Sequence, residues 1–578
     1  MSRRRRLGAL AVLASATLLT SCVQVPHDGP VVEGKPQAQD DQPQQYFNNP
    51  PSPKDGATPD DIVLGFLEAM TATPLNPAVA SEFLTKQGRA EWNPQQVLVY
   101  GGHAAPRGSA RVVLPLRRAD RIGAAGDWHG TVPAADARIR FTMARENGEW
   151  RIAAAPNALI VPADFYDANY EDASLYYFDP TGRILVPEPV HVPQGSQLAS
   201  SLVKALLRTP QSGLRSVTQT FIPPGLSIGI SVPVIRGVAE VNLTGPDPGP
   251  LDRIVVKRML AQLAWTLQQD TSINAFTLTI AGRPVTDGSG ASSFPVRSDQ
   301  ASPIDPAVPR ASGQIYALRR GRLVSGQVDR PSSVNGPFGS HDLGIGPFAV
   351  NLHNTLVAGV QPDALLVGPV LVGRQPVPVL FGPGLLRPMW DFADRLWEIQ
   401  NGALGATVEY LPNGTGGPQR VRIPGISHQQ VRRFLVSRDG SRIVAVLRGA
   451  HADHLVVSRL RYDADGAAIG ATRARLIPWR SGGTTRIRDI GWTTPTTLAV
   501  LDQVSPQKAE VRILSVDGST RPAQAPPTQV TGTVRGLATA PSQTPFAVLQ
   551  SGLSNISPDQ VQTRLVPTFG LRHVTFAG

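Results

Sequence analysis

Residues 434–446 read Phe-Leu-Val-Ser-Arg-Asp-Gly-Ser-Arg-Ile-Val-Ala-Val, and this stretch decides the fold of the C-terminal part of the chain. Phe434 to Val436 and Ile443 to Val446 are short β-favouring runs. Asp439-Gly440 between them is a dipeptide that tight hairpin turns select. Comparable runs occur at Phe348-Ala349-Val350 to Val360, Arg395-Leu396-Trp397, Ile490-Gly491-Trp492 to Leu498-Ala499-Val500-Leu501, and Gly536-Leu537-Ala538 to Ala547-Val548-Leu549. Their spacing is roughly 40–50 residues, the length of one four-stranded blade. Helix signals almost vanish after Ile315. Residues 310–578 are therefore expected to form a β-propeller of about six blades.

Composition bounds what precedes it. The chain has 578 residues, too many for one core, so several domains are expected. With 55 Gly, 54 Pro and only 17% charged residues, strands, turns and linkers are favoured over a mainly helical protein. The formal charge is +11, and only 6 of the 55 basic residues are Lys. The arginines are scattered, apart from Arg3 to Arg6. Nucleic-acid binding needs a basic stripe or a reading motif, and neither is found, so nucleic acid is not an expected partner. Cys22 is the single cysteine, which excludes a disulfide framework and a cysteine-built zinc site.

The N-terminus explains that cysteine. Arg3 to Arg6 precede an apolar run, Leu7 to Leu19, too short to span a bilayer of roughly 30 Å but suited to an export signal. The run ends Leu19-Thr20-Ser21-Cys22, which resembles a bacterial lipobox. Residues 1–21 are read as a lipoprotein signal peptide and Cys22 as the lipid attachment residue, an N-palmitoyl, S-diacylglycerol cysteine. Two or three acyl chains satisfy the two-signal requirement for stable anchoring. The expected location is the extracytoplasmic face of the cell membrane. Residues 22–55, rich in Pro, Gln, Asp and Asn, cannot bury a core and are read as a disordered tether. About 33 residues at 3.1 Å each extend to about 100 Å.

Two α+β domains are expected between tether and propeller. Over 56–165, Thr58 suits an N-cap, Pro59 the first helical position, and Ile62, Phe66 and Met70 recur at helical spacing. A short second helix (77–84) and strands follow, with Asn147-Gly148 as a hairpin turn before Trp150 and Ile152. Helices first and a curved sheet after look like an NTF2-like fold. Over 166–300, Leu198, Leu202 and Leu206 form one helical stripe, and Val256, Leu260, Leu263 and Leu267 another. Strands are expected at Ile228-Ile230-Val232, Val241-Leu243 and Phe276-Leu278-Ile280, in the order β-α-β-β-α-β.

The segments LVKALLRTP, FIPPGLSIGISVPV, GVAEVNL and AQLAWTLQQDTSINAFTLTIAGRPV resemble the GerMN domain of spore-germination and sporulation proteins. The V-S-x-D-G-S-R-I-V-A element resembles the inner-strand hairpin of TolB-like and YVTN propellers. Lipobox, Pro/Gln tether, helical N-domain, GerMN domain and propeller, in that order, resemble the LpqB family of actinobacterial lipoproteins over essentially the whole chain. The resemblance implies a partner, the extracellular domain of the sensor histidine kinase of the Mtr two-component system, and through it an influence on cell-wall metabolism and division.

Enzyme chemistry finds little support. Gly225-Leu226-Ser227-Ile228-Gly229 satisfies the G-x-S-x-G pattern, but a nucleophile elbow needs a strand before the serine and a helix after it. Here prolines precede Ser227 and a strand is expected to follow. His451-Ala452-Asp453-His454 falls between two expected strands and reads as a polar loop. No zinc-protease, phosphate-loop or dinucleotide motif is found. No catalytic residue, metal ligand or cofactor is assigned, and a non-enzymatic interaction protein is expected. One alternative is an envelope lipoprotein that binds a glycan or small ligand at the propeller mouth, where Trp390, Trp397, Trp479 and Trp492 would serve if exposed. The other, a wall-associated hydrolase gated by the propeller, lacks a nucleophile and base.

Overall fold

Thr58 starts the first helix by a reciprocal cap: its hydroxyl accepts the Asp61 N–H at 3.2 Å, and Asp61 Oδ2 accepts the Thr58 N–H at 3.2 Å. The helix Pro59–Ala69 turns Ile62, Val63, Phe66 and Leu67 inward, all nearly free of solvent contact. The computed structural model describes residues 48–578, except 209, 211, 298–301, 308–312, 480–485, 520–525, 558–564 and 569. The signal peptide, Cys22 and most of the predicted tether therefore lie outside the described residues. One part of the tether is corrected: residues 49–55 belong to the same compact unit as everything after them, and Pro50 is buried. A polar, proline-rich strand of chain is excluded from a core only if it must bury its backbone, and a proline ring can pack from the surface.

In the N-terminal module two more short helices, Ala78–Glu82 and Lys86–Glu91, precede a curved sheet. Gln96–His103 pairs antiparallel with Arg111–Ile122 and in parallel with Ala158–Pro162. Arg138–Glu146 and Glu149–Ala154 extend the other edge, joined by Asn147 and Gly148 at φ +53° and +85°, the mirror-image turn that matches strand twist. Phe66 packs on Trp92 and edge-on to Phe141, closing the core between helix and sheet.

The second module opens with a hairpin, Tyr170–Phe178 against Leu185–Pro193. Its main sheet pairs Val238–Thr244 in parallel with Ala275–Ile280. The helix Arg253–Leu267 makes the crossover, capped by Asp252, whose carboxylate accepts the Ile254 N–H at 2.7 Å. Phe276, Leu278 and Ile280 point inward as their alternation requires. The expected strand at 228–232 is corrected. Only Ser227–Ile228 pairs with the sheet, and Ile230 is fully exposed. The Val232 N–H goes to Ser200 Oγ at 2.8 Å on the Leu198–Leu206 helix, so the chain leaves the ladder there.

Among the described residues, six sheets of four or five strands make up the rest, five of them formed from chain-adjacent strands alone. Their inner strands are Leu571–Thr575, Phe348–Val350, Met389–Trp390, Val431–Val436, Ile487–Trp492 and Val534–Ala538. The first blade joins Ile315–Arg319 to Leu571–Thr575, from the far end of the domain. The Gly578 N–H donates to Val350 O at 2.8 Å, tying that blade to the second. The fold is a β-propeller closed by its own termini, leaving no long free sheet edge between blades. Trp390, Trp397 and Trp492 are buried. Trp492 Nε1–H donates to Val436 O at 3.0 Å across a blade boundary, so these tryptophans pack blades together rather than offering a sugar platform.

Candidate functional site

The residues singled out in the sequence do not converge. Cys22 lies outside the described residues. Ser227 sits in the two-residue strand that Gly225, at φ +79°, turns into, and its Oγ lies 3.3 Å from Thr244 Oγ1. Ser227 itself opens that short strand, and irregular chain rather than a helix follows Ile228, so the elbow geometry is absent. His451 lies in the loop before the strand His454–Tyr462, and Asp453 between the two histidines is directed elsewhere, to Arg486 and the Ile487 N–H. Among the described residues no cluster of three metal-ligating side chains occurs.

What the fold does bring together is the strand Leu185-Val186-Pro187-Glu188-Pro189-Val190-His191-Val192-Pro193, buried almost from end to end. Its even-numbered residues face the hairpin ladder. On the outer edge Pro187 and Pro189 have no N–H to leave unpaired. The two N–H groups that remain there are both used: Leu185 donates to Ile304 O at 2.9 Å, and His191 to Gly126 O at 2.7 Å in the N-terminal module. Gly126 sits at φ +80°, and a Cβ there would lie 2.8 Å from the His191 carbonyl oxygen, so this approach requires glycine.

Two charged side chains of this strand complete a three-way junction. His191, 3% exposed, holds Asp172 Oδ1 at 2.8 Å on its own hairpin and Asp517 Oδ2 at 2.9 Å on the propeller. The indole of Trp128, from the N-terminal module, packs against the imidazole at 5.5 Å. Burial by itself would lower the imidazole pKa, but the hydrogen bonds and charges of Asp172 and Asp517 outweigh it and raise it to about 9. Asp517 is held down to about 2, burial being overcome by His191 and by the Ser519 N–H. Glu188 reaches Arg442 Nη2 at 2.9 Å and Arg459 Nη1 at 2.7 Å, both on the propeller. Burial opposes its ionisation, yet Arg459 and Arg442 keep the carboxyl below its ordinary range. Arg183, at the hairpin turn, lies over the Phe392 ring of the propeller at 5.7 Å.

The junction encloses a cavity of about 660 Å³ with walls from all three modules. Its carboxylates are paired, Glu188 with Arg442 and Arg459, Asp517 with His191 and Asp127 with His129, and among the described residues no nucleophile is poised beside a base. Its chemistry is that of a lock. Buried, hydrogen-bonded pairs between modules hold one relative orientation, because separating them strands charges in a poorly hydrated seam. Sequence reading missed His191 and Glu188, although a lone histidine and a lone glutamate within an otherwise apolar, proline-punctuated strand were a readable signal that both would need partners.

Comparison with known proteins agrees with this architecture. Residues 52–167 match the N-terminal domain of lipoprotein LpqB, residues 321–560 the LpqB β-propeller domain, and residues 174–286 a domain described as sporulation and spore germination. Lipoprotein LpqB of Thermobifida fusca (strain YX) is 28% identical over 577 residues, spanning 89% of this chain and 90% of that one. Lipoprotein LpqB of Streptomyces coelicolor is 26% identical over 98% of this chain and 97% of its own. Among solved structures, TolB from Acinetobacter baumannii is 11% identical with a TM-score of 0.31, covering 61% of this chain and 99% of that one.

Proposed function

This chain belongs to the LpqB family of actinobacterial lipoproteins, and from that premise we propose that it is a non-catalytic interaction protein accessory to a membrane sensor histidine kinase. In this reading Cys22 carries the lipid and holds the protein at the extracytoplasmic face of the cell membrane. Among the described residues no helix is long and apolar enough to cross a membrane. The partner is the extracellular domain of an Mtr-type kinase, and the consequence is an influence on cell-wall metabolism and division.

The observation that carries the reading is the ionic lock. A protein whose modules are fixed by buried His191 and Glu188 presents one composite surface, and such a surface suits recognition more than turnover. The tether adds concentration. Confined by a tether that, ending at residue 48, extends to about 80 Å, the modules meet a membrane partner at an effective concentration that reaches the millimolar range. A contact with a Kd of tens of micromolar, about −6 kcal/mol, is then mostly occupied. The N-terminal and second modules, nearest the tether, are the favoured contact. The test is binding of purified residues 22–578 to the purified kinase sensor domain, beside kinase output in cells carrying Cys22→Ala. Saturable binding at micromolar concentration and altered output support the reading. No association at about 100 µM, with unchanged output when the gene is deleted, removes it.

A further inference from the structure

Five of the six inner propeller strands begin on one four-residue pattern, aliphatic-Arg-any-apolar. The copies are Leu386-Arg387-Pro388-Met389, Val431-Arg432-Arg433-Phe434, Ile487-Arg488-Asp489-Ile490, Val534-Arg535-Gly536-Leu537 and Leu571-Arg572-His573-Val574. In a regular strand, residues three apart face opposite sides. Yet both apolar ends of the pattern are buried in four of the copies, and in the fifth Met389 is buried and Leu386 half-buried. The conflict is relieved by one extra residue. The register slips between Val431 and Arg433, between Ile487 and Asp489, and between Val534 and Gly536. It slips again where Arg572 and Thr575 oppose Leu318 and Tyr316. In the remaining blade the Leu385–Gln400 bridge and the Met389–Trp397 pair likewise enclose one residue too many. A bulge takes a side chain out of the ladder and re-aims it. His573 shows the strain of this directly, with φ at +51°.

The consequence is a ring of guanidinium groups. Arg387, Arg432, Arg433, Arg535 and Arg572, with His573, line a single cavity of about 550 Å³ at the starts of the inner strands. One carboxylate lines it, that of Asp489, and it is already engaged. Asp489 accepts the Leu537 N–H at 2.8 Å and the Ile490 N–H at 3.1 Å, and Arg433 Nε lies 3.5 Å away. Gly536 makes room for it, since a Cβ there would come within 2.6 Å of Asp489 Oδ2. Arg387 is the deepest. Thr575 Oγ1 takes one of its N–H groups, while its Nε is buried with no hydrogen-bond partner among the described residues. Burial, with Arg433 nearby, lowers its pKa below the ordinary arginine value despite Asp489. Arg535 and Arg572 are exposed and form no ion pair among the described residues.

The cavity is open at one end and stopped at the other. Beneath it the space shrinks to about 20 Å³. There Arg438 spans the axis, donating to Ala307 O, Pro541 O and Ala577 O. The turns at the opposite ends of the inner strands carry Phe392 and Arg442, which meet the second module, so the arginine-lined mouth faces away from it.

We propose that this mouth is a binding site for a small ligand carrying two or more oxyanion groups, phosphate or carboxylate, gripped by guanidinium forks from several blades at once. Planar forks suit both groups bidentately. A blind cavity of this volume fits a small molecule rather than a polymer, pockets for such ligands being about 300–1,000 Å³. Arg432 reaches Asp453 at 3.7 Å and Arg433 reaches Asp489 at 3.5 Å, while Arg387, Arg535 and Arg572 form no ion pair among the described residues. The convergence of these three raises the energy of the empty site and adds to the drive for binding. The proposal does not rest on the kinase contact, so either can fail alone.

The test is calorimetric titration of the full chain with pyrophosphate, with citrate and with a neutral disaccharide. Saturable binding of one or both anions, weakened by salt, with none of the disaccharide, is expected; the preferred anion names the group. Arg535→Gln with Arg572→Gln, both exposed and without an ion pair among the described residues, should weaken binding at least about tenfold. The double lysine variant should fall between, because it keeps charge and loses the fork. Arg283→Gln with Arg330→Gln, at exposed positions away from the mouth, should bind as the parent does. Absence of saturable binding by either anion up to about 10 mM overturns the proposal. So does equal weakening in the control pair, or binding of an acidic peptide without any small anion.

Discussion

Raising the pH from 6.5 to 9.5 should loosen the junction of the three modules, and His191 should be the reason. Its pKa of about 9 in the folded protein stands against an ordinary 6.5. That gap of about 2.5 pH units, at 1.36 kcal/mol each, corresponds to about 3 kcal/mol. The sign follows from proton counting. Between the two values the folded state holds a proton that the opened state has lost, so stability falls as pH rises. The contribution is complete below about 6.5 and gone above about 9. The assay is hydrogen exchange of the peptide spanning Val186–Val192, corrected for the intrinsic acceleration of exchange by base. The His191 N–H that donates to Gly126 O reports opening of the junction directly. Protection in the parent should drop by about two decades across the window, while His191→Gln, already lacking the charge, should start lower and stay flat. Parallel pH profiles for parent and variant would refute the reasoning. At the acid end the same pair weakens through Asp517. Its pKa is depressed to about 2, so that contribution is present above about 4 and lost as pH falls toward 2.

Glu188→Gln should destabilise the seam between the second module and the propeller by about 3–5 kcal/mol, because it leaves Arg442 without its carboxylate, and urea unfolding should reveal an early transition absent from the parent. An unfolding curve unchanged from the parent would count against a lock. Cys22→Ala should release the protein from the membrane fraction, and intact mass of the membrane-extracted parent should include the acyl chains; an unacylated N-terminus would remove the anchor from the proposal. Ser227→Ala should change stability by less than about 0.5 kcal/mol, since the side chain is exposed and meets only Thr244. A fluorophosphonate probe should leave Ser227 unlabelled, and specific labelling would reopen the hydrolase reading.

Much of the architecture was legible because the signals that build it act over a few residues. The Thr58–Asp61 cap, the Asn147-Gly148 turn and the inward faces of the Ser437–Arg442 hairpin are settled by neighbours in the chain, and each stands where local chemistry put it. The strand expected at 228–232 failed for an equally local-looking pattern because Ser200, on a separate helix, captured the Val232 N–H. Periodicity cannot report a competitor from elsewhere in the chain. Of the tryptophans read as possible sugar platforms, Trp390, Trp397 and Trp492 are buried, Trp492 by a partner supplied by the neighbouring blade, and Trp479 is half-buried.

The order of modules, the closed ring of short strands and the family were thus determined by the sequence alone, through periodicity, turn dipeptides and motif order. The functional surfaces were not. Glu188 meets Arg442 across 254 residues and Arg459 across 271, and His191 meets Asp517 across 326. Nothing in the local sequence of either partner names the other. The repeated aliphatic-Arg-any-apolar pattern was present in the sequence, but four of its five arginines, Arg387, Arg432, Arg535 and Arg572, become a site only when ring closure carries their separated strand starts to one axis. Secondary structure is set by contacts within a turn or a hairpin. Charge acts through space, so which charges meet is decided only when the tertiary fold sets their distances.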